Sequence, residues 1–74
     1  MKRKSDPLFD LGQRIKHIRT SKRITQQALA EKCDIETASI SRIENGKINL
    51  TYTTLYKICD SLEISLAEML LKNI

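Results

Sequence analysis

At 74 residues, with 41% hydrophobic and 30% charged side chains, two Gly and one Pro, the chain has room for one small domain and falls outside the disordered, collagen-like and linker-like classes. Two cysteines are too few for a secreted disulfide scaffold, and the longest apolar run, Met69-Leu70-Leu71, is too short for a signal peptide or membrane span, so a reduced, cytoplasmic protein is expected. The net charge of +4 is uneven: Lys2, Arg3, Lys4, Arg14, Lys16, Arg19, Lys22 and Arg23 against Asp6 and Asp10 give residues 1–23 a net +6, while residues 24–74 carry −2, so one end suits a polyanion, either nucleic acid or an anionic membrane surface, unless it is only a solvated charge run.

Periodicity and capping signals divide the chain into five short helical segments, and strand alternation is absent. Residues 1 to 6 read as a mobile basic arm and residues 7 to 74 as the folded domain. Asp6-Pro7 forms an N-cap and first-turn proline, and Leu8, Leu11, Ile15 and Ile18 recur at spacings of 3, 4 and 3; together they predict a first helix from about Pro7 to Lys22. Its other positions, Gln13, Arg14, Lys16, His17 and Arg19, make a cationic face. Ile24, Thr25 and Leu29 have the spacing of a hydrophobic staple and open a second helix, about Gln26 to Cys33, with Leu29, Ala30 and Cys33 inward. After Asp34-Ile35, a third period turns Ile40 and Ile43 inward and Thr37, Ala38, Ser41 and Arg42 outward. It ends at Asn45-Gly46, a pair suited to a left-handed cap. Leu50, Thr51 and Leu55 repeat the staple and open a fourth helix, about Tyr52 to Ser61, with Leu55, Ile58 and Cys59 inward and Leu62, just past its end, as a further candidate. Ile64, Ser65, Glu68 and Met69 combine a capping box with a staple and open a fifth helix at Leu66. On it Leu66, Ala67, Met69, Leu70, Leu71 and Ile74 spread over an arc of roughly 200°, about twice what one core contact needs, so part of that surface is expected to meet a second partner.

The run Gln26-Gln27-Ala28-Leu29-Ala30-Glu31-Lys32-Cys33, a turn, and Ser39-Ile40-Ser41-Arg42-Ile43-Glu44-Asn45-Gly46-Lys47 closely resemble the helix-turn-helix of the lambdoid phage repressor and Cro family. That family also contains short XRE-like bacterial regulators, antitoxins and restriction-modification controller proteins. The resemblance spans about Leu11 to Leu70 and implies an all-α, five-helix, lambda-repressor-like DNA-binding domain whose motif is the second and third helices. Two positions depart from the family pattern. Asp34 stands where the turn usually has Gly, at a modest conformational cost. Glu36 stands where Ser or Thr usually caps the third helix; it complements the helix dipole, but near DNA its charge either lowers affinity or accepts a hydrogen bond from a cytosine amino group.

In that family the first exposed turn of the third helix enters the major groove, so the resemblance puts Thr37, Ala38, Ser41 and Arg42 on the bases. Arg42 suits a bidentate contact to guanine, and Ala38 an apolar contact to a thymine methyl. Phosphates are expected at Thr25 and Gln26 and at Thr51 and Tyr52, where helix N-termini offer free N–H groups and a favourable dipole. Asn45, Lys47 and Asn49, after the reading helix, are the remaining backbone contacts by analogy with the family, although caps and turn chemistry alone also account for Thr25, Thr51, Asn45 and Asn49. Arg19 and Glu44 match two family positions that form an ion pair, expected to fix the reading helix and aim Arg19 at a phosphate. The basic arm follows the backbone, enters a minor groove or merely solubilises. One reading helix contacts too few bases to select a site, so a homodimer is expected on a two-fold-symmetric operator with half-sites roughly 34 Å apart, joined through Leu66, Met69, Leu70 and Ile74.

No catalytic constellation is legible, and neither a metal nor a cofactor is expected. Cys33 and Cys59 read as buried free thiols and, even with His17, fall short of a four-ligand zinc site; His17 lacks the companions of a nucleophilic site. The expectation is therefore a sequence-specific transcriptional regulator rather than an enzyme, a repressor by promoter occlusion in the simplest case. Activation through RNA polymerase and an antitoxin role with a toxin partner are equally compatible. The rival class is a protein-interaction module that kept the fold. Membrane binding is disfavoured, because the first helix lacks Trp and its apolar stripe is needed by the core.

Overall fold

The computed structural model describes residues 6–71; the basic residues Lys2, Arg3 and Lys4, and Ile74, lie outside the described residues. Five helices follow one another, α1 (Pro7–Ser21), α2 (Gln26–Cys33), α3 (Thr37–Glu44), α4 (Tyr52–Leu62) and α5 (Leu66–Leu70), and no strand occurs among the described residues. The architecture is all-α. The helices lie within a residue of the ends the sequence predicts: Lys22 caps α1 instead of belonging to it, and α4 extends to Leu62. The last helix departs further. It stops at Leu70, and Leu71 is extended at φ −71° and ψ 125°, so Leu71 is not part of the helical arc expected there.

Four helix starts are closed by side chains. Asp6, Thr25, Thr51 and Ser65 accept hydrogen bonds from first-turn N–H groups, and Ser65 with Glu68 completes a capping box. Asp6 therefore belongs to the fold and not to the arm. α3 differs, because its N-cap Glu36 makes no side-chain cap bond.

The helix ends share a device that the sequence shows less plainly. After α1, α2, α3 and α4 the chain turns through Arg23, Asp34, Gly46 and Glu63 at φ 63°, 58°, 68° and 59°. The next N–H then reaches back five residues, Ile24 to Arg19, Ile35 to Ala30, Lys47 to Arg42 and Ile64 to Cys59, at 2.8 to 3.1 Å. This closure satisfies carbonyls that the helix leaves unpaired. Ile24, Ile35 and Ile64 pack against the core. Each is at once the apolar residue that closes one helix and the one that precedes the cap of the next, so each short link is pinned at its centre.

Three of these four left-handed positions carry a side chain, at a cost of roughly 1–2 kcal/mol each. Glu63→Gly should therefore raise the melting midpoint by several degrees, the exposed Glu63 side chain giving up no buried contact. An unchanged or lower midpoint by circular dichroism would refute the strain.

Every helix contributes to one core, centred on Ile15, Leu29, Ile40, Ile58, Leu62 and Met69. α1 and α2 pack on α3, α2 also packs on α4, and α5 closes against α1 and α4. Cys33 and Cys59 are buried free thiols. Burial pushes the Cys59 thiol up from its ordinary pKa, which keeps it protonated and unreactive.

Candidate nucleic-acid interface

α3 has two chemically distinct faces. Ile40, Ile43 and Glu44 are buried, whereas Thr37, Ala38 and Arg42 are exposed and Ser41 is half-buried. At 3.6 residues per turn, positions 37, 38, 41 and 42 share one side of the helix. The Arg42 guanidinium forms no salt bridge among the described residues, so its planar fork of donors is uncommitted. Beyond the helix Asn45, Lys47 and Asn49 are exposed, and Asn45 Nδ2 donates to the Ser41 carbonyl at 3.0 Å.

The inner face is held by a single buried carboxylate. Glu44 is 1% exposed; it accepts from Arg19 Nε at 2.6 Å, Arg19 Nη2 at 3.2 Å and Gln26 Nε2 at 2.9 Å. Its backbone carbonyl accepts from Gln13 Nε2 at 2.9 Å. α1, α2 and α3 thus meet at one group whose charge and lone pairs are satisfied, the condition for burying an ion. The expected pair between Arg19 and Glu44 is present. Gly12 lets α1 come this close: a Cβ there would meet the carbonyl oxygens of Ile43 and Glu44, the latter at 2.5 Å. At the end of α3, Gly46 combines its positive φ with a second close approach, to the Phe9 backbone.

The innermost line of α1 is consequently Gly12, Ile15 and Arg19, with Leu11 and Ile18 packed at its flanks. The expected cationic face shrinks accordingly. Arg14 donates Nε to the Met69 carbonyl at 3.3 Å and Nη2 to the Glu68 carbonyl at 3.1 Å, so it secures the end of α5. Lys16 and His17 remain exposed on that face.

Two assignments are corrected by this geometry, and a third is narrowed. Arg19 is 7% exposed, and besides Glu44 it donates Nη1 to the Ile24 carbonyl at 2.7 Å; it is a buried brace with almost no surface to offer a phosphate. The half-buried Gln26 side chain donates one amide N–H to Glu44, which leaves its second amide N–H and its backbone N–H as donors for an anion. Met69 is 1% exposed and sits in the core, because α1 and α4 cover that side of α5, so it offers no surface to a second copy. Of the other α5 residues Leu66 is half-buried against the core, while Leu70 is 54% exposed and its neighbour Leu71 67%.

At the starts of α2 and α4 the hydroxyls of Thr25 and Thr51 accept from the N–H groups of Ala28 and Thr54 at 3.0 and 3.1 Å. The first-turn N–H groups of Gln26, Gln27, Tyr52 and Thr53 are thereby the donors left without an intrahelical acceptor. Tyr52 is exposed beside Tyr56, the ring centroids 6.5 Å apart.

Gly12, Gln13 and Arg14 are the positioning residues that sequence reasoning missed. Gly12 did leave a signal, since a glycine inside a helical period costs about 1 kcal/mol and marks a close approach. Arg14 left none, because its partner carbonyls lie 54 and 55 residues away.

A helix-turn-helix family profile matches residues 15–69. The chain belongs to this family of XRE-like, lambda-repressor-like DNA-binding transcription regulators. It is similar to antitoxin HipB of Escherichia coli strain K12, 41% identical over 63 residues that cover 85% of this chain and 72% of that protein. It is also similar to control protein C.MunI of a Mycoplasma species, 36% identical over 66 residues that cover 88% and 89% of the two chains. Among solved structures, the restriction-modification controller protein C.AhdI from Aeromonas hydrophila superposes with a TM-score of 0.83 at 27% identity, over 85% of this chain and 96% of that one.

Proposed function

We propose that the chain is a sequence-specific regulator that binds double-stranded DNA as a homodimer on a two-fold-symmetric operator and represses by occupying the promoter. The observation that carries this reading is the outer face of α3, with Thr37, Ala38, Ser41 and Arg42 accessible on a helix that α1 and α2 brace through Glu44. In this role those four side chains meet base edges, and Arg42 takes guanine. The N–H groups that begin α2 and α4, the exposed Thr25, Thr51 and Tyr52, and Asn45, Lys47 and Asn49 grip the phosphates on either side. The exposed Leu70 and Leu71, flanked by Leu66, supply an apolar surface for the second copy. Among the described residues no helix is long and apolar enough to cross a membrane, and the regulator works where the DNA is, in the cytoplasm.

Selection of bound duplexes from a random pool, with the mass of the complex from sedimentation, tests this reading. A two-fold-symmetric motif with half-sites about one helical turn apart and two chains per duplex is expected; a pool that stays random overturns it. On the selected operator Arg42→Ala should bind roughly 5- to 150-fold more weakly. It should relax the preference at a single guanine and leave the melting midpoint unchanged. The identity with antitoxin HipB favours a second reading, in which the same fold also binds a toxin protein.

A further inference from the structure

We infer that Glu36 is a specificity-determining residue that selects cytosine at one position of each half-site, an inference that rests on the DNA-reading role proposed above for α3. Four of the five N-cap side chains bond the first turn of their helix, and Glu36 does not. Helix stability alone favours Ser, Thr, Asp or Asn there, and the same chain uses Thr25 and Thr51 to start α2 and α4. The backbone of Glu36 is nevertheless fixed. It is extended at φ −75° and ψ 146°, its carbonyl accepts from the Ser39 and Ile40 N–H groups at 2.9 and 3.3 Å, and the preceding Ile35 packs on the core. The carboxylate is exposed and has no salt bridge among the described residues. A well-placed residue thus carries an uncommitted, acceptor-only charge one position before Thr37 and two before Ala38.

The chemistry of the major groove determines what such a group accepts. Guanine presents N7 and O6 acceptors, thymine an O4 acceptor and a methyl, and adenine an N6 donor beside the N7 acceptor; cytosine alone presents a donor, N4, with no acceptor on the same base. A carboxylate brought into the groove loses water and adds its repulsion to that of the phosphates, and N4 of cytosine replaces the lost hydrogen bond. Guanine and thymine leave the charge unpaired, and adenine sets the repulsion of its N7 acceptor beside the N6 donor; that penalty exceeds the gain on the right base. Glu36 therefore acts chiefly by exclusion. Arg42, further along the same helix, carries the opposite charge, so α3 presents an acceptor at its start and donors near its end.

Random-duplex selection run in parallel on the wild type, Glu36→Gln and Glu36→Thr tests the inference. The wild-type motif should contain one cytosine per half-site whose replacement weakens binding about tenfold or more. Glu36→Gln should shift that position toward adenine, whose N6 and N7 match an amide. Glu36→Thr should lose the preference there, keep the preferences elsewhere and melt at a higher temperature, because it restores the cap. Identical base preferences in all three proteins, with affinity rising uniformly in the variants, would overturn the inference and leave Glu36 as a general brake on phosphate binding. A random pool from the wild type would instead overturn the DNA-reading role itself, a result distinct from a motif that is merely insensitive to position 36.

Discussion

Gly12→Ala should lower the melting midpoint by roughly 10 °C. The added methyl would meet the Ile43 and Glu44 carbonyl oxygens and, at 2.7 Å, the Glu44 carbonyl carbon. All three are backbone atoms of the helix end against which α1 rests, so no rotamer change relieves the overlap, and α1 and α3 have to separate. Helix propensity works the other way, since Ala gains about 1 kcal/mol over Gly in a helix interior. Overpacking a close contact costs typically 1–3 kcal/mol, occasionally more. Separation also weakens the hydrogen bonds that Gln13 and Arg19, both on α1, make to Glu44. The contact term wins by about 2 kcal/mol, and each kcal/mol moves the midpoint of a domain this size by roughly 4–8 °C. DNA affinity should fall with it, because α3 loses the surface that sets its orientation. A thermal melt followed by circular dichroism checks the claim; an unchanged or raised midpoint would show that propensity outweighs the contact.

Arg19→Ala has the larger expected effect, a loss of about 3–5 kcal/mol. Glu44 would keep Gln26 as its side-chain partner, but a carboxylate that is 1% exposed would lose its counter-charge and two of its three donors. Small domains have total stabilities near the lower end of 5–15 kcal/mol, so the variant should be largely unfolded at modest urea concentrations. The double replacement Arg19→Met with Glu44→Leu separates charge from packing. Removing both ions takes away the desolvation cost together with the attraction, so stability should return to within about 2 kcal/mol of the wild type. Operator affinity should recover less than stability, since the apolar replacement of Glu44 gives Gln26 no acceptor to tie the start of α2 to α3. Urea titrations of the three proteins, with operator binding measured under folding conditions, decide this. A loss below about 1 kcal/mol in Arg19→Ala would sink the brace.

The sequence by itself determined the number of helices, their starts and the division of α3 into buried and exposed faces. These are local properties. A cap residue and its partner lie within three positions of one another, as in Ser65 and Glu68, and the 3.6-residue period places Ile40 and Ile43 opposite Thr37, Ala38 and Arg42 whatever the helix packs against. The family resemblance is likewise carried by a continuous stretch, matched here over residues 15–69. The left-handed ends at Arg23 and Glu63 escaped notice because neither residue is the Gly or Asn that usually marks them.

Tertiary structure alone decided which atoms meet. Periodicity identifies an apolar face without saying how closely a neighbouring helix approaches it, and the approach at Gly12 places Arg19 inside the protein, where its fork closes on Glu44 and Ile24 instead of reaching out to a phosphate. The same limit moved Met69 from the surface into the core. An arc of apolar residues on α5 does not reveal which part α1 and α4 will cover, and the helix ends at Leu70 instead of continuing. Arg14 follows the same logic, since its contacts with the Glu68 and Met69 carbonyls exist only once the two ends of the chain are brought together. Local spacing fixes the direction of each side chain relative to its own helix axis; the distance and crossing of the axes arise from contacts between residues far apart in sequence.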